Sequence, residues 1–256
     1  MEVLERPIIE FHAVSDIGCG RRQNQDYWGL LEDQGLYVVA DGIGGAPAGD
    51  LASKMAVDIF LDSMQRCISL LPAKVKSDHA ASLLRFACKT ANDSIYRKSC
   101  SERSLRGMGT TLSALYFLDS TKVLLAHVGD SRAYCLRGEH LVQLSRDNCT
   151  FAKKPLYTKE KLVYKRLLTK ALGQKSSFTA HVEIFERQLD DFFVLCTDGL
   201  SDYLRKSDIQ KLLQKKLSLE EKTKSLVNTA IERGGLDNIT VIVVNEQRTQ
   251  RLALSR

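Results

Sequence analysis

Residues 36–60 read LYVVADGIGGAPAGDLASKMAVDIF, and the change of rhythm inside that stretch decides the fold. Leu36 to Ala40 form an unbroken apolar run rich in valine, the pattern of a buried strand. Asp41-Gly42 stops it. From Asp50 the apolar residues change spacing: Leu51, Ala52, Met55, Ala56, Ile59 and Phe60 recur every three or four positions, which places them on one face of a helix. A strand thus empties into an acidic turn, and a helix follows.

Upstream, Ile8 to Ser15 reads as another strand, and downstream a second helix covers Ala80 to Lys98, with Leu84, Ala87, Ala91 and Ile95 on one stripe. The middle of the chain turns to short strands: Thr110 to Phe117, Val123 to Val128, Arg132 to Leu136 and Leu141 to Leu144. Asp119-Ser120 and Arg137-Gly138 mark hairpin turns between them. Val182 to Phe185 and Phe192 to Cys196 read as a further pair, split by Asp190-Asp191. Helices over Lys206 to Lys215 and Leu219 to Glu232 precede a closing buried strand, Ile239 to Val244. Strands joined by short turns imply antiparallel sheets, and helices that come in pairs favour a layered α+β fold over a doubly wound one. No repeat or low-complexity linker divides the chain, so one domain is expected over 1–246, with a short basic and poorly ordered tail from Gln247 to Arg256.

Composition excludes several function classes. The 256 residues are 44% hydrophobic and 27% charged, ordinary for a soluble globular protein. Apolar runs reach about half a dozen residues against the ~20 that cross a bilayer. Met1 to Arg6 lacks the basic start and apolar run of a secretory signal, and a cytoplasmic location is expected. The seven cysteines are widely separated and include no C-x-x-C pair, which argues against a zinc ribbon or a disulfide scaffold. The net charge of +6 is spread along the chain and falls largely on helices, as solvated faces do, so no nucleic-acid partner is expected. Nothing points to an obligate dimer.

The chemistry shows in where acids meet glycine. Asp41-Gly42, Gly129-Asp130 and Asp198-Gly199 each follow an apolar strand, and Asp237-Asn238 precedes one. A carboxylate at a strand end is rigidly placed yet reachable, and hard divalent cations such as Mg²⁺ and Mn²⁺ take oxygen ligands. One Asp-Gly alone is a turn. Several, far apart in sequence, suggest a shared centre.

Five segments around these positions resemble the PP2C-type protein phosphatases, bacterial branch. Ser15 to Asp26 fits D-x-G-x-x-R-x-x-N-[EQ]-D, and Val39 to Gly45 is similar to V-A-D-G-x-G-G. Gly107 to Thr111 followed by Ala126 to Arg132 forms the third segment, Leu168 to Gly173 with Leu195 to Leu200 the fourth, and Gly234 to Thr240 the last. They occur in family order across residues 15 to 240, nearly the entire chain. The resemblance implies a layered α-β-β-α sandwich, two mainly antiparallel sheets flanked by helix pairs. It also implies hydrolysis of phosphoserine and phosphothreonine in proteins at a binuclear Mn²⁺ or Mg²⁺ centre, with a serine/threonine kinase as antagonist.

Residue by residue, the resemblance implies that Asp41 bridges two metals and that the Gly42 carbonyl is a further ligand. Asp198 and Asp237 complete the first metal's shell, and Asp26 serves the second, partly through water. Asp130 matches the aspartate of a third, weaker metal shared with Asp198, and Arg21 the arginine that grips the substrate phosphate. Paired cations lower the pKa of a shared water from 15.7 toward ~7, which permits in-line attack on phosphorus without a phosphoenzyme. The planar fork of Arg21 suits two phosphate oxygens.

Departures matter too. Ile43 stands where many eukaryotic members have a histidine proposed as general acid, so isoleucine packs and water protonates the leaving group. His127 lies inside a strand and is expected in the core or behind the ligands. Arg146 to Arg166 corresponds to the family's variable flap, and here it carries Lys153, Lys154, Lys159, Lys161 and Lys165 without the familiar wording before Leu168; the default is a solvated mobile loop. Cys100 to Arg106 has the C-x₅-R spacing of cysteine-dependent phosphatases, yet it holds no glycine inside and ends a helix rather than opening one. Two other readings stand beside the phosphatase. A different two-metal hydrolase, such as a nuclease, fits the diffuse charge poorly. A phosphoprotein-binding pseudophosphatase would have lost metal-site aspartates, and every one is present.

Overall fold

Alternation along the central strands sets the architecture. In the computed structural model, which describes residues 8–43, 48–70, 76–154 and 163–247, Leu36, Val38 and Ala40 pack to one side of their strand, Tyr37 and Val39 to the other. All five are fully buried. A strand apolar on both faces must be covered on both, so it forms an inner layer.

In chain order the strands are β1 (Ile8–Asp16), β2 (Asp26–Leu31) and β3 (Leu36–Asp41), followed by helices α1 (Gly49–Ser69) and α2 (Ser77–Ser101). The next strands are β4 (Leu112–Phe117), β5 (Lys122–Val128), β6 (Arg132–Arg137) and β7 (His140–Gln143). Then come β8 (Cys149–Lys154), β9 (Val163–Leu168), β10 (His181–Glu186) and β11 (Phe192–Cys196). The chain continues through α3 (Asp198–Ser201), α4 (Lys206–Leu213), α5 (Leu219–Glu232) and β12 (Ile239–Gln247).

Two antiparallel five-stranded sheets result. One runs β1-β12-β11-β6-β7 and the other β10-β5-β4-β3-β2. The expected four-layer sandwich is there. Leu36, Val38 and Ala40 meet Ala52, Ala56, Phe60 and Leu84 of α1 and α2. Val241 and Val243 meet Ile209, Leu226 and Val227 of α4 and α5. Between the sheets Tyr37, Val39, Ile242 and Val244 form a third apolar layer, where the ring edge of Phe117 meets Phe193 with centroids 5.2 Å apart. Each such fully buried side chain contributes about 1.5–3 kcal/mol of burial.

Several boundaries read from sequence hold. α5 starts and ends where expected, because Ser218 Oγ accepts the Glu221 N–H at 3.2 Å while Glu221 Oε2 accepts the Ser218 N–H at 2.8 Å. The turn at Gly138, with φ 56°, closes the β6–β7 hairpin. Helix α2 extends past both expected ends.

Four readings need correction. Val182–Phe185 and Phe192–Cys196 do not pair: β10 joins β5 in one sheet and β11 lies between β6 and β12 in the other. The intervening turn crosses between layers, anchored where Arg137 Nη2 meets the buried Asp191 Oδ2 at 2.7 Å. The expected strand at Thr110 starts instead at Leu112, and Thr110 makes isolated bridges to Gly42 and Leu172. β2 was not foreseen, since Gly29 breaks its pattern; a Cβ there would lie 2.8 Å from both Leu61 and Val57 of α1, so glycine lets helix and strand close up. Lastly, the flap is no plain loop, for β8 and β9 pair antiparallel from Cys149↔Leu168 to Lys154↔Val163. Lys159 and Lys161 lie outside the described residues, as do Met1 to Arg6, Gly44, Gly45 and positions 248–256 of the tail; Gln247 belongs to β12.

Candidate metal centre

The strand ends gather the aspartates. Asp26 opens β2 and Asp41 closes β3, and the two are direct partners across that pair. From the other sheet, Asp198 follows β11 at the start of α3, and Asp237 immediately precedes Asn238 and β12. Asp130, 5% exposed, sits in the link that carries the chain from β5 in one sheet to β6 in the other.

Backbone contacts hold these ends in place. Asp41 donates its N–H to Thr111 Oγ1 at 2.9 Å, and its carbonyl accepts from Thr110 Oγ1 at 2.8 Å and from the Thr111 N–H at 2.9 Å. Thr111 Oγ1 in turn meets Ser131 Oγ at 2.6 Å, which ties Asp41 to the neighbour of Asp130. Gly42 donates its N–H to the Gln25 carbonyl at 3.0 Å. A Cβ at Gly42 would stand 2.1 Å from the Gly49 carbonyl oxygen, so only glycine permits this crossing. Gly18, at φ 72°, folds the 17–21 loop against the backbone of Gly235 and Asp237. Asn238 clamps the same loop: its side-chain amide donates to the Ile17 and Gln23 carbonyls and accepts the Gln25 N–H. That clamp delivers Arg21, whose Nη2 donates to Asp237 Oδ2 at 2.7 Å.

The carboxylates feel one another. Asp41 keeps some surface open, yet burial is the largest influence raising its carboxyl well above the usual range, followed by the charges of Asp26, Asp198, Asp237 and Asp130. Burial also pushes Asp26 up to about 7, opposed by hydrogen bonds from Thr240 and Thr197. Asp26 Oδ1 is buried without a hydrogen-bond partner, which for a carboxylate oxygen is costly unless a cation is to be met. Among the described residues no three His, Cys, Asp or Glu side chains close into a ready cage. Like charges repel, and Arg21 holds one oxygen of Asp237. An all-oxygen donor set with an orphaned carboxylate oxygen nevertheless fits a hard divalent cation. A separate apolar cavity of about 380 Å³, lined by Cys135, Val142, Leu144, Phe185 and Phe193, adjoins the far end of β6 from Asp130.

The remaining sequence candidates fall outside this cluster. His127 is buried, its Nδ1 2.9 Å from Ser113 Oγ and its Nε2 3.0 Å from the Arg146 carbonyl, and burial lowers its pKa to about 4. Both ring nitrogens are engaged, so it supports the core as expected. Ile43 donates its N–H to the Gly109 carbonyl and packs near it. Cys100 lies in the last turn of α2, and only a single 3₁₀ turn, Arg103–Leu105, follows it, too short to cradle an anion. The flap is rooted beside the cluster: Asn148 donates to the Gly129 carbonyl, and Arg132 forks onto Asp147 at 2.7–3.1 Å. Sequence reasoning assigned no role to Thr111, Ser131, Thr197, Thr240, Asn24 or Asn238. All six stand inside the matched segments, but their partners are visible only in three dimensions.

A profile of the family described as Protein phosphatase 2C matches residues 20–233. The chain is 34% identical over 246 residues to a serine/threonine phosphatase stp of Listeria monocytogenes, covering 93% of this chain and 96% of that one. It is 32% identical over 247 residues to the protein phosphatase PhpP of Streptococcus pneumoniae, covering 93% and 97%. Among solved structures, the catalytic domain of the phosphatase PstP in complex with two manganese ions superposes with TM-score 0.76 at 27% identity, over 94% of this chain and 100% of that one. The S. agalactiae serine/threonine phosphatase gives 0.79 at 28% identity, over 93% and 99%.

Proposed function

The chain belongs to the protein phosphatase 2C family and is a serine/threonine protein phosphatase, and from that premise we propose that it hydrolyses its substrates with water activated at two divalent cations, Mn²⁺ or Mg²⁺. Asp41 and the Gly42 carbonyl, with Asp198, Asp237 and Asp26, would hold the pair, and Asp130 would join Asp198 at a third, weaker site. The observation that carries this reading is the pairing of Asp41 with Asp26 across β2 and β3, with the buried Asp26 Oδ1 left without a hydrogen-bond partner and Asp198, Asp237 and Asp130 near enough to act on the Asp41 charge. Bound there, the pair supplies Lewis acidity, lowering the pKa of water toward ~7 and offsetting charge on the phosphoryl oxygens.

The chain's own residues supply orientation. Arg21 offers a planar fork to two phosphate oxygens once it leaves Asp237, and fixes the phosphoryl group for in-line displacement. Strand-end placement keeps Asp41 and Asp26 from drifting while charge develops. No histidine stands at position 43, and His127 has both nitrogens committed, so solvent protonates the leaving alkoxide. Loss of metal-site aspartates would favour the pseudophosphatase reading, and all five are present.

A phosphatase of this kind acts where a serine/threonine kinase has added phosphate, and such a kinase belongs to the proposal. So does a reducing compartment such as the cytoplasm, in keeping with seven free thiols; no helix among the described residues is long and apolar enough to cross a membrane. The test is turnover of p-nitrophenyl phosphate and a phosphothreonine peptide with Mn²⁺, Mg²⁺, Zn²⁺ or chelator. Turnover restored by Mn²⁺ or Mg²⁺ and abolished by chelator is expected; chelator-resistant turnover would refute the metal assignment.

A further inference from the structure

We propose that Thr197 and Thr240 are positioning residues for Asp26: their hydroxyls occupy Oδ2 and leave Oδ1 as the one oxygen offered to a divalent cation. This rests on the metal-dependent reading above and assigns a part to two residues that reading does not use. Thr197 Oγ1 donates to Asp26 Oδ2 at 2.8 Å and Thr240 Oγ1 donates to the same oxygen at 2.7 Å, across 171 and 214 positions of sequence. Both threonines are 0% exposed. Thr240 lies in β12 and Thr197 directly follows β11, both strands of the sheet opposite to that of Asp26, so the contact crosses the sandwich.

Their hydroxyls have little freedom. Thr240 donates its N–H to Thr197 Oγ1 at 3.0 Å, and Thr197 donates its N–H to the Thr240 carbonyl at 3.0 Å, which locks the two residues together. β-Branching stiffens χ1 in each. An ionised carboxylate only accepts, so each threonine spends its single hydroxyl proton on Oδ2. That leaves Thr240 Oγ1 to accept from Ser15 Oγ at 2.8 Å, and Ser15 Oγ to accept from Asn24 Nδ2 at 2.9 Å. Asn24 Oδ1 accepts the Asp26 N–H at 3.1 Å and closes the ring. All proton directions around the ring follow from the charge on Asp26.

The consequence is an asymmetric carboxylate. Oδ2 is saturated with hydroxyl donors, while Oδ1 is buried with no hydrogen-bond partner. A carboxylate free to turn could chelate through both oxygens; this one presents a single, fixed donor. Partners behind a ligand typically govern metal affinity by 10–100-fold.

A packing role makes the opposite prediction from a positioning role, which gives the test its power. Valine keeps the shape of threonine without the hydroxyl, and serine keeps the hydroxyl with less volume. The full-length chain is titrated with Mn²⁺ alone by calorimetry, with free Mn²⁺ followed by electron paramagnetic resonance and melting in chelator as the check on folding. Thr240→Val should weaken one Mn²⁺-binding step about 10–100-fold, whereas Thr240→Ser stays within about threefold of wild type. Thr197→Val and Thr197→Ser repeat the comparison should Thr240→Val fail to fold. Asp26→Asn serves as reference and should lose the same step. Wild-type affinity in both valine variants, or a serine variant as weak as its valine counterpart, overturns the proposal. If wild type binds Mn²⁺ and Asp26→Asn loses a step that the valine variants retain, only the positioning role falls. If wild type binds no Mn²⁺, the metal reading falls with it.

Discussion

Arg21 Nη2 lies 2.7 Å from Asp237 Oδ2, a pairing across 216 positions of sequence. The side chain expected to hold phosphate thus rests on a carboxylate expected to hold metal. The charge of Arg21 is sustained first by this hydrogen bond and further by Asp41 and Asp198. Both side chains are about a third exposed, at 38% and 35%, so solvent weakens the pair and exchange is affordable. Cation and phosphate each have to displace one half of it.

Arg21→Ala should therefore raise KM for p-nitrophenyl phosphate about tenfold, as expected for one charged hydrogen bond to substrate, with kcat less affected. The Mn²⁺ concentration for half-maximal turnover should not rise, because a competing positive charge has gone. Steady-state kinetics over a matrix of substrate and Mn²⁺ separates the two. A collapse of kcat at unchanged KM would sink the binding role.

Asp41→Ala and Asp198→Ala should each abolish turnover in saturating Mn²⁺ while far-ultraviolet dichroism stays native. Asp41→Asn adds a second readout. Four like charges act on this half-buried carboxyl, so removing its charge should raise the melting temperature in chelator by about 2–4 °C for each ~1 kcal/mol relieved. A lower melting temperature would argue against carboxylate crowding.

His127 predicts a pH signature of stability. Its pKa falls from 6.5 to about 4 on folding, chiefly through burial. Below pH 6.5 the unfolded chain takes up the proton while the native imidazole stays neutral until about pH 4. Stability is thus lost as pH drops through that window, by about 3 kcal/mol at its lower end. Urea unfolding at pH 7, 5.5 and 4.5 should show a shallower slope for His127→Gln than for wild type. Parallel slopes would remove His127 as the cause.

Cys100→Ser should leave turnover unchanged and stability within about 0.5 kcal/mol, since Cys100 is exposed at the end of α2. An inactive variant would restore the cysteine mechanism.

The parts of this molecule legible in sequence are those whose signal is local. The strand–turn–helix around Asp41-Gly42, the capping box at Ser218 and Glu221, and the aspartates flanking glycine or asparagine all announce themselves within a few residues. What escaped is set by distant partners. β2 shows itself as a strand only in its pairing with β3 and in the approach of α1 to Gly29, and β8–β9 pair in a lysine-rich stretch whose sequence carries no alternation. β10 and β11 look like a hairpin from the Asp190-Asp191 turn, yet Asp191 binds Arg137 and sends the chain to the other sheet. Thr197, between β11 and α3, and Thr240, in β12, are unremarkable until Asp26 is placed against both.

Asp26 and Asp41 ride on one sheet, whereas Thr240 lies in the other and Thr197, Asp198 and Asp237 sit in the links at the ends of its strands β11 and β12, with the apolar seam of Phe117 and Phe193 holding the two in register. Turnover is accordingly a gauge of how the halves of the sandwich are seated. On gentle warming it should fade while ellipticity still reports intact helices and strands, because a slip of an ångström between the layers parts the proposed metal-site groups long before either layer melts.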